Sequence, residues 1–328
     1  MTPKMGEVIV ADLKKRSERG LELAKQILQA ERIDYPKLHK ALEHYIAHWN
    51  DFTHPGLFSI ACEAVGGDPD DFVPTQAAIA MMAAAFDVHD DIIDKSKVKN
   101  KIPTVYGKFG SEMALLLGNA FLIEGFKLFV DSTVILPKEK RKSALETLKK
   151  LLFEVGNGHA LEVGLKERKN VAPSDFMEII KMKASSLEAD FYLGALFGGG
   201  EDAKVEVLAK IGRILGTLVM LREEFIDVFD IEELCQRISV QDLPRPIIFA
   251  MQDPEAERKV RKIISKPKLT RSDVAELVDV TLVATPVVKL KKEMQRLIGE
   301  GVGLTNKLLK NKLQNQLQTL LSFTLEDL

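Results

Sequence analysis

Residues 76–86 read QAAIAMMAAAF and are apolar at every position after Gln76. Alanine and methionine favour helix, and a helix apolar around its circumference has no face to show water. Such a helix belongs in the middle of a bundle, with other helices on every side. GRILGTLVML at 212–221 makes the same demand. Elsewhere apolar residues recur every three or four positions, as in LKKRSERGLELAKQILQA, YPKLHKALEHYIAHW, SEMALLLGNAFLIEGFKLFV and KRKSALETLKKLLFEVGNGHALEVG. Alternating β-branched runs are scarce. Breaks fall at GGDPDDF, KVKNKIP, LPKEK, NVAPSDF, GGGEDA, QDLPRP and KPKLTRSD, where Gly, Pro, Asp or Ser start and stop helices. Ser174 and Thr270 are the expected N-cap residues. No linker, composition shift or short repeat divides the chain, so the expectation is one all-α domain over residues 1–328, a large helical bundle.

With 328 residues the chain is long enough for a sizeable core. Acids and bases are interspersed and leave a net charge of −2, which argues against a nucleic-acid partner. The opening MTPKMGEVIVADLKKRSERG turns charged too early for a secretory signal. No apolar run reads as long enough to cross a bilayer; FYLGALFGGG is the best candidate, and it is short and Gly-rich. Cys62 and Cys235 lack a second Cys or His at metal spacing and read as two buried thiols. The expectation is a cytoplasmic protein with no transmembrane segment.

The apolar 76–86 run ends in acids. Asp90, Asp91 and Asp94 stand at i, i+1 and i+4, with Asp87 one turn earlier. Far downstream Glu223, Glu224 and Asp227 repeat that spacing, followed by Asp230, again at the end of an apolar helix. Like charges at i, i+4 cost a helix about 0.2–0.5 kcal/mol per pair, and partial burial adds desolvation. Unrelieved carboxylates would take up protons, so each cluster needs a positive partner. Carboxylate oxygens are hard ligands, and no His or Cys cluster suits zinc. Mg²⁺, which keeps waters and binds one or two carboxylates plus substrate phosphates, fits best.

One acidic stripe alone is ordinarily a solvated helix face; two of matched spacing on two apolar helices are a stronger signal. Lys95, Lys97, Lys99 and Lys101 follow the first cluster, and Lys181 and Lys183 lie in IIKMKASSLEADFYLGALF. Carboxylates holding a divalent ion, with lysines beside them, describe a site for a phosphorylated substrate, and metal and lysine would neutralise a diphosphate leaving group. Met81, Met82, Ala83, Ala84 and Ala85 form a small-residue wall that is ordinarily core packing and could also leave room for a hydrocarbon tail. Together these features suggest a prenyl diphosphate.

At these residues the chain resembles the trans-isoprenyl (polyprenyl) diphosphate synthase family. The family's DDxxD motif is DDIID at 90–94, its following PT is Pro103-Thr104, and YGKFG continues it. ACEAVGGD at 61–68 and KASSLEADFYLGALFGG at 183–199 resemble two of its helices. The resemblance implies the all-α isoprenoid synthase fold around a central cavity. It also implies two or three Mg²⁺ ions that hold an allylic prenyl diphosphate while its C–O bond ionises, and attack on the cation by isopentenyl diphosphate. By position Asp90 and Asp94 would be metal ligands, with Asp91 supporting them. Glu223, Glu224 and Asp227, preceded by Met220 where the family has Gln, stand for the second motif. Lys183 would contact diphosphate, and Lys99 takes the place of the first of two arginines before PT. Ala85 and Phe86, one turn before DDxxD, take the places that set chain depth. Family members are usually dimers, so a homodimer is expected, with a heteromer containing a family synthase as the other option.

The departures gather at the isopentenyl diphosphate side. The family's GKxxRP segment reads NDFTHP, with Asp51 and Phe52 in the cation places. The His seven residues before DDxxD is Ala83, the second arginine before PT is Asn100, and a later lysine aligns with Asp242. An aspartate repels diphosphate where a lysine would bind it. The reading is therefore a Mg²⁺-dependent prenyltransferase whose acceptor need not be isopentenyl diphosphate. Two alternatives are a terpene cyclase-like or hydrolytic activity on the same substrate, and a catalytically weak regulatory subunit of a heteromeric synthase.

Overall fold

The structure is a computed structural model and describes residues 5–166, 172–239, 243–308 and 312–326. Packing divides the chain into two compact units, Met1–Lys149 with Ala189–Ala209, and Lys150–Glu188 with Lys210–Leu328. Both are helical; the strands among the described residues are two short ones in one hairpin.

The first unit contains α1 (Met5–Ala30), α2 (Pro36–His48), α3 (Thr53–Ala64), α4 (Val73–Ile93), α5 (Val105–Phe109) and α6 (Ser111–Ser132). Between α4 and α5 lies the hairpin of β1 (Val98–Lys99) and β2 (Ile102–Pro103). The sequence puts α4 at the centre, and it is there, packed on α1, α3 and α6. Ala77, Ala78, Ala84 and Ala85 are fully buried, as are Met81 and Val88. Gly118 and Gly125 bring α6 close: a Cβ on Gly125 would lie 3.0 Å from the Ala78 carbonyl, and one on Gly118 would strike the His89 ring. Trp49 stacks on Phe121 at 6.2 Å, and Tyr45 packs against both. Burying a side chain such as Phe121 contributes about 1.5–3 kcal/mol.

One sequence expectation needs correction here. Ser111–Ile135 is long and apolar enough to cross a membrane by length and composition, which the search for uninterrupted apolar runs missed. Its scattered charges, Glu112, Glu124, Lys127 and Asp131, hid the pattern. One side of α6 buries Ala114, Leu117, Phe121 and Phe129, while Leu115, Leu116, Ile123 and Phe126 are exposed.

Three helices divide between the units: α7 (Lys138–Lys166), α9 (Ser185–Phe197) and α10 (Asp202–Phe229). The second unit adds α8 (Pro173–Lys183), α11 (Ile231–Ser239), α12 (Arg245–Ala250), α13 (Pro254–Ile264), α14 (Arg271–Val283), α15 (Thr285–Thr305) and α16 (Lys312–Phe323). Val228, Leu234, Ile247, Val260, Ile263, Val274 and Leu277 make one of its apolar clusters. Thr270 does cap α14, in a full capping box with Asp273. Ser174 does not cap α8: Ala172 holds that place and Pro173 opens the helix, its missing N–H costing nothing there. Cys62 is buried, and Cys235 is only half-buried.

Candidate functional site

The DDIID segment falls where the sequence puts it, at the last turn of α4. The helix ends at Ile93, and Asp94 is its C-cap, with its N–H bonded to the Asp90 carbonyl at 2.8 Å. Lys95 then takes φ 56°, which turns the chain back. Asn100 and Lys101, at φ 51° and 65°, make the two-residue turn between β1 and β2. Thr104 seats the hairpin: its hydroxyl donates to the Ser96 carbonyl at 2.7 Å and accepts the Gly107 N–H at 2.9 Å. A Cβ on Gly107 would overlap the Lys97 carbonyl, so the YGKFG segment has glycine where the backbone passes closest.

That fold-back returns Lys99 to the helix end. Its Nζ lies 2.8 Å from Asp87 Oδ1 and 2.9 Å from Asp91 Oδ1. Burial pushes the Asp91 carboxyl up to about 6 despite the lysine beside it. Burial also opposes the charge on Lys99, but Asp87 and Asp91 outweigh it and hold the ammonium well above its ordinary range. Asp90 is half-buried and Asp94 exposed. Lys101 is an exposed turn residue, and Lys95 and Lys97 are exposed too. Ala85 is fully buried in the unit's apolar cluster, whereas Phe86 is half-buried. The Ala and Met wall is thus packed core over most of its length. Among the described residues no three His, Cys, Asp or Glu side chains converge as a ready-made metal cluster. The α4 carboxylates still suit Mg²⁺, which needs only one or two when diphosphate supplies further oxygens.

The second acidic cluster sits on the last turns of α10 in the second unit. Arg237, on α11, grips it: Nη1 donates to Asp227 Oδ2 at 2.5 Å and lies 3.3 Å from Glu224 Oε2. The Arg245 backbone N–H donates to Glu224 Oε2 at 2.8 Å. Burial pushes both carboxyls up, and Arg237 works against that rise. Glu223 is exposed. A divalent ion about 2.0–2.1 Å from these oxygens would fall against the guanidinium, so Glu224 and Asp227 as arranged do not fit Mg²⁺. Lys183, the expected diphosphate contact, lies 2.7 Å from Glu162 Oε2, and Glu162 Oε1 lies 3.5 Å from Arg245 Nη2. The Arg245 guanidinium covers the Phe176 ring at 4.6 Å. Asp242 lies outside the described residues.

Sequence reasoning missed four of these groups. Arg237, Arg245 and Glu162 carry no motif, and only the fold brings them to the acids and lysine. His54 could have been found by counting. In NDFTHP the Arg place of GKxxRP falls on His54, not on Phe52. His54 Nδ1 donates to Asp190 Oδ2 at 2.7 Å. Burial opposes the imidazolium, but Asp190 outweighs it and lifts His54 to about 9. A cation is therefore kept at this place, but a buried carboxylate holds it. Asp51 Oδ1 accepts the Thr53 N–H at 3.0 Å at the start of α3.

The polyprenyl synthetase family matches residues 35–281. A short chain isoprenyl diphosphate synthase from Methanothermobacter thermautotrophicus is 31% identical over 195 residues, 59% of each chain, so the match spans less than two thirds of that relative. A geranylgeranyl diphosphate synthase from Methanosarcina mazei is 26% identical over 72% of each chain. The crystal structure of a geranylgeranyl pyrophosphate synthetase from Pyrococcus horikoshii superposes with a TM-score of 0.83, covering 98% of both chains at 23% identity. That likeness establishes the all-α fold.

Proposed function

The chain belongs to the polyprenyl synthetase family, and from that premise we propose that it is a Mg²⁺-dependent prenyltransferase acting on an allylic prenyl diphosphate. The observation that carries this reading is the DDIID segment at the open end of a buried Ala- and Met-rich helix, with a seated hairpin returning Lys99 to it. Asp90 and Asp94 would hold the ion, and Asp91 would support them from inside the helix end. Mg²⁺, when bound, would supply the charge against which the diphosphate departs. Lys99 would neutralise diphosphate oxygens once they compete with Asp87 and Asp91 for its ammonium. Lys183 is the diphosphate contact that the resemblance implies, and its ammonium is held by Glu162 within the second unit. Dimerisation and a cytoplasmic location belong to the same reading, and the exposed apolar residues of α6 are consistent with a covered surface in a dimer.

The acceptor is proposed to be other than isopentenyl diphosphate. Asp51 replaces a lysine, Ala83 a histidine and Asn100 an arginine, while His54 is engaged by Asp190. Binding a second diphosphate without these cations would leave its charge uncompensated.

The test is turnover of geranyl, farnesyl and geranylgeranyl diphosphate with Mg²⁺, with and without isopentenyl diphosphate. The expected result is slow diphosphate release independent of isopentenyl diphosphate and abolished by Asp90→Asn, with water taking the prenyl group as the linear alcohol while the native acceptor is absent. A cyclic hydrocarbon would favour the cyclase alternative. Release that requires isopentenyl diphosphate and yields a longer chain would overturn the acceptor assignment. No release from any of the three would overturn the transferase reading and favour a subunit role.

A further inference from the structure

The second acidic motif behaves unlike the first. Glu224 and Asp227 are an i, i+3 pair on α10, and the groups that answer their charge come from the chain itself. Arg237 is 12% exposed in its side chain, and Glu224 is 16% exposed. One Arg237 nitrogen serves both carboxylates, 2.5 Å from Asp227 and 3.3 Å from Glu224, while a second lies 3.5 Å from Glu224 Oε1. The planar fork matches carboxylate oxygens in a way that a hydrated ion cannot share. The Arg245 N–H adds a backbone donor on Glu224. Both acids and both arginines lie in the second unit.

We propose that Arg237 is the resident cation of this motif: its guanidinium stands where a divalent ion would otherwise be held, so Glu224 and Asp227 take up no metal in the native chain. The sequence departures agree with that assignment. Glu224 reaches one methylene further than an aspartate would and meets an arginine from the next helix alongside Asp227. Arginine cannot be deprotonated in a protein, so the motif keeps this counter-charge at every metal concentration. The inference rests on the proposed function only in taking a diphosphate as the substrate. A diphosphate bound by this chain would then recruit fewer ions than two intact acidic motifs would hold.

The experiment counts bound Mn²⁺, a spin-active stand-in for Mg²⁺, by electron paramagnetic resonance on the full chain with inorganic pyrophosphate. Thermal melts are recorded alongside. Asp227→Asn in the native background is expected to leave the Mn²⁺ count unchanged. Arg237→Gln is expected to melt earlier, to bind one additional Mn²⁺ and to regain much of its lost melting temperature in millimolar MnCl₂. Adding Glu224→Gln to Arg237→Gln is expected to abolish both the extra ion and the rescue. Arg237→Lys, which keeps a cation, is expected to bind no additional ion.

Loss of an ion from the native chain on Asp227→Asn would overturn the proposal. A folded Arg237→Gln chain that gains no ion would overturn it as well. Should Arg237→Gln fail to fold even with MnCl₂, the Asp227→Asn count decides by itself. Asp94→Asn is a separate arm: its effect on the count tests the metal seat of the proposed function and leaves Arg237 untouched.

Discussion

The ends of α4 and α10 present the same spacing of acids and resolve it differently. At α4 the answering cation is Lys99, 43% exposed, on a two-residue strand of a surface hairpin. At α10 it is Arg237, 12% exposed, clamped between two carboxylates and backed by a peptide N–H. A compact ammonium on a flexible stem exchanges partners readily, and half of its surroundings here are water. A guanidinium locked in place by two half-buried acids does not. Under the proposed function the first end would trade its lysine for metal and diphosphate at small cost, while the second is built around its own cation. Matched motifs in sequence have become one exchangeable site and one fixed site.

The largest effect that would break this comparison is on stability. Arg237→Ala leaves the half-buried Glu224 and Asp227 with their main counter-charge gone, which should cost about 2–4 kcal/mol, between an exposed pair and a fully buried one. Lys99→Ala leaves the exposed Asp87 in water and the buried Asp91 able to take up a proton, so it should cost less, on the order of 1 kcal/mol. Urea unfolding of both variants in metal-free buffer measures the difference. Equal losses would mean that the two ends are alike.

A pH profile sharpens the same contrast. The folded pKa of Asp91, about 6, lies above the ordinary 3.8, so its protonated form is the one the fold favours. That contribution is whole below pH 3.8 and is lost as pH rises through 6. In metal-free buffer, ionising this one group between pH 4 and pH 7 should cost about 2–3 kcal/mol. Asp91→Asn should remove that slope, and Lys99→Ala should push the Asp91 titration further up in a carboxyl-detected NMR experiment. An Asp91 resonance titrating near 4 would show that its burial is relieved in solution.

The α4 end was legible because every part of it is local: an Ala-rich run, acids at helical spacing, then PT and YGKFG. The central place of α4 followed from its apolar circumference alone. What was not legible came from distance. Arg237 sits on a short amphipathic helix ten residues past Asp227, where nothing in the pattern marks it as the partner of two acids. Glu162 reads as one more surface charge until α8 brings Lys183 to it. Asp190 sits in an apolar helix 136 residues from His54, and no spacing rule joins them. The hairpin itself was read only as a break in KVKNKIP, because its strands are two residues long and its turn lacks glycine.

That missing glycine gives the smallest and most specific test. Asn100 and Lys101 both hold positive φ, as a two-residue turn between twisted antiparallel strands requires. Asparagine tolerates the left-handed region through its short polar side chain, while lysine meets a penalty of about 1–2 kcal/mol there. Lys101 is exposed, so its side chain adds little to the folded state in return. Lys101→Gly should remove that penalty and give back part of the gain through the greater freedom of glycine in the unfolded chain. The net expectation is a gain of about 0.5–1 kcal/mol in urea unfolding, carried by the hairpin that positions Lys99. A firmer hairpin should also slow hydrogen exchange at the Thr104 amide, which bonds to the Lys97 carbonyl at 2.9 Å. If Lys101→Gly is neutral and that exchange is unchanged, the turn is not tight in solution, and Lys99 is held to α4 by charge attraction alone.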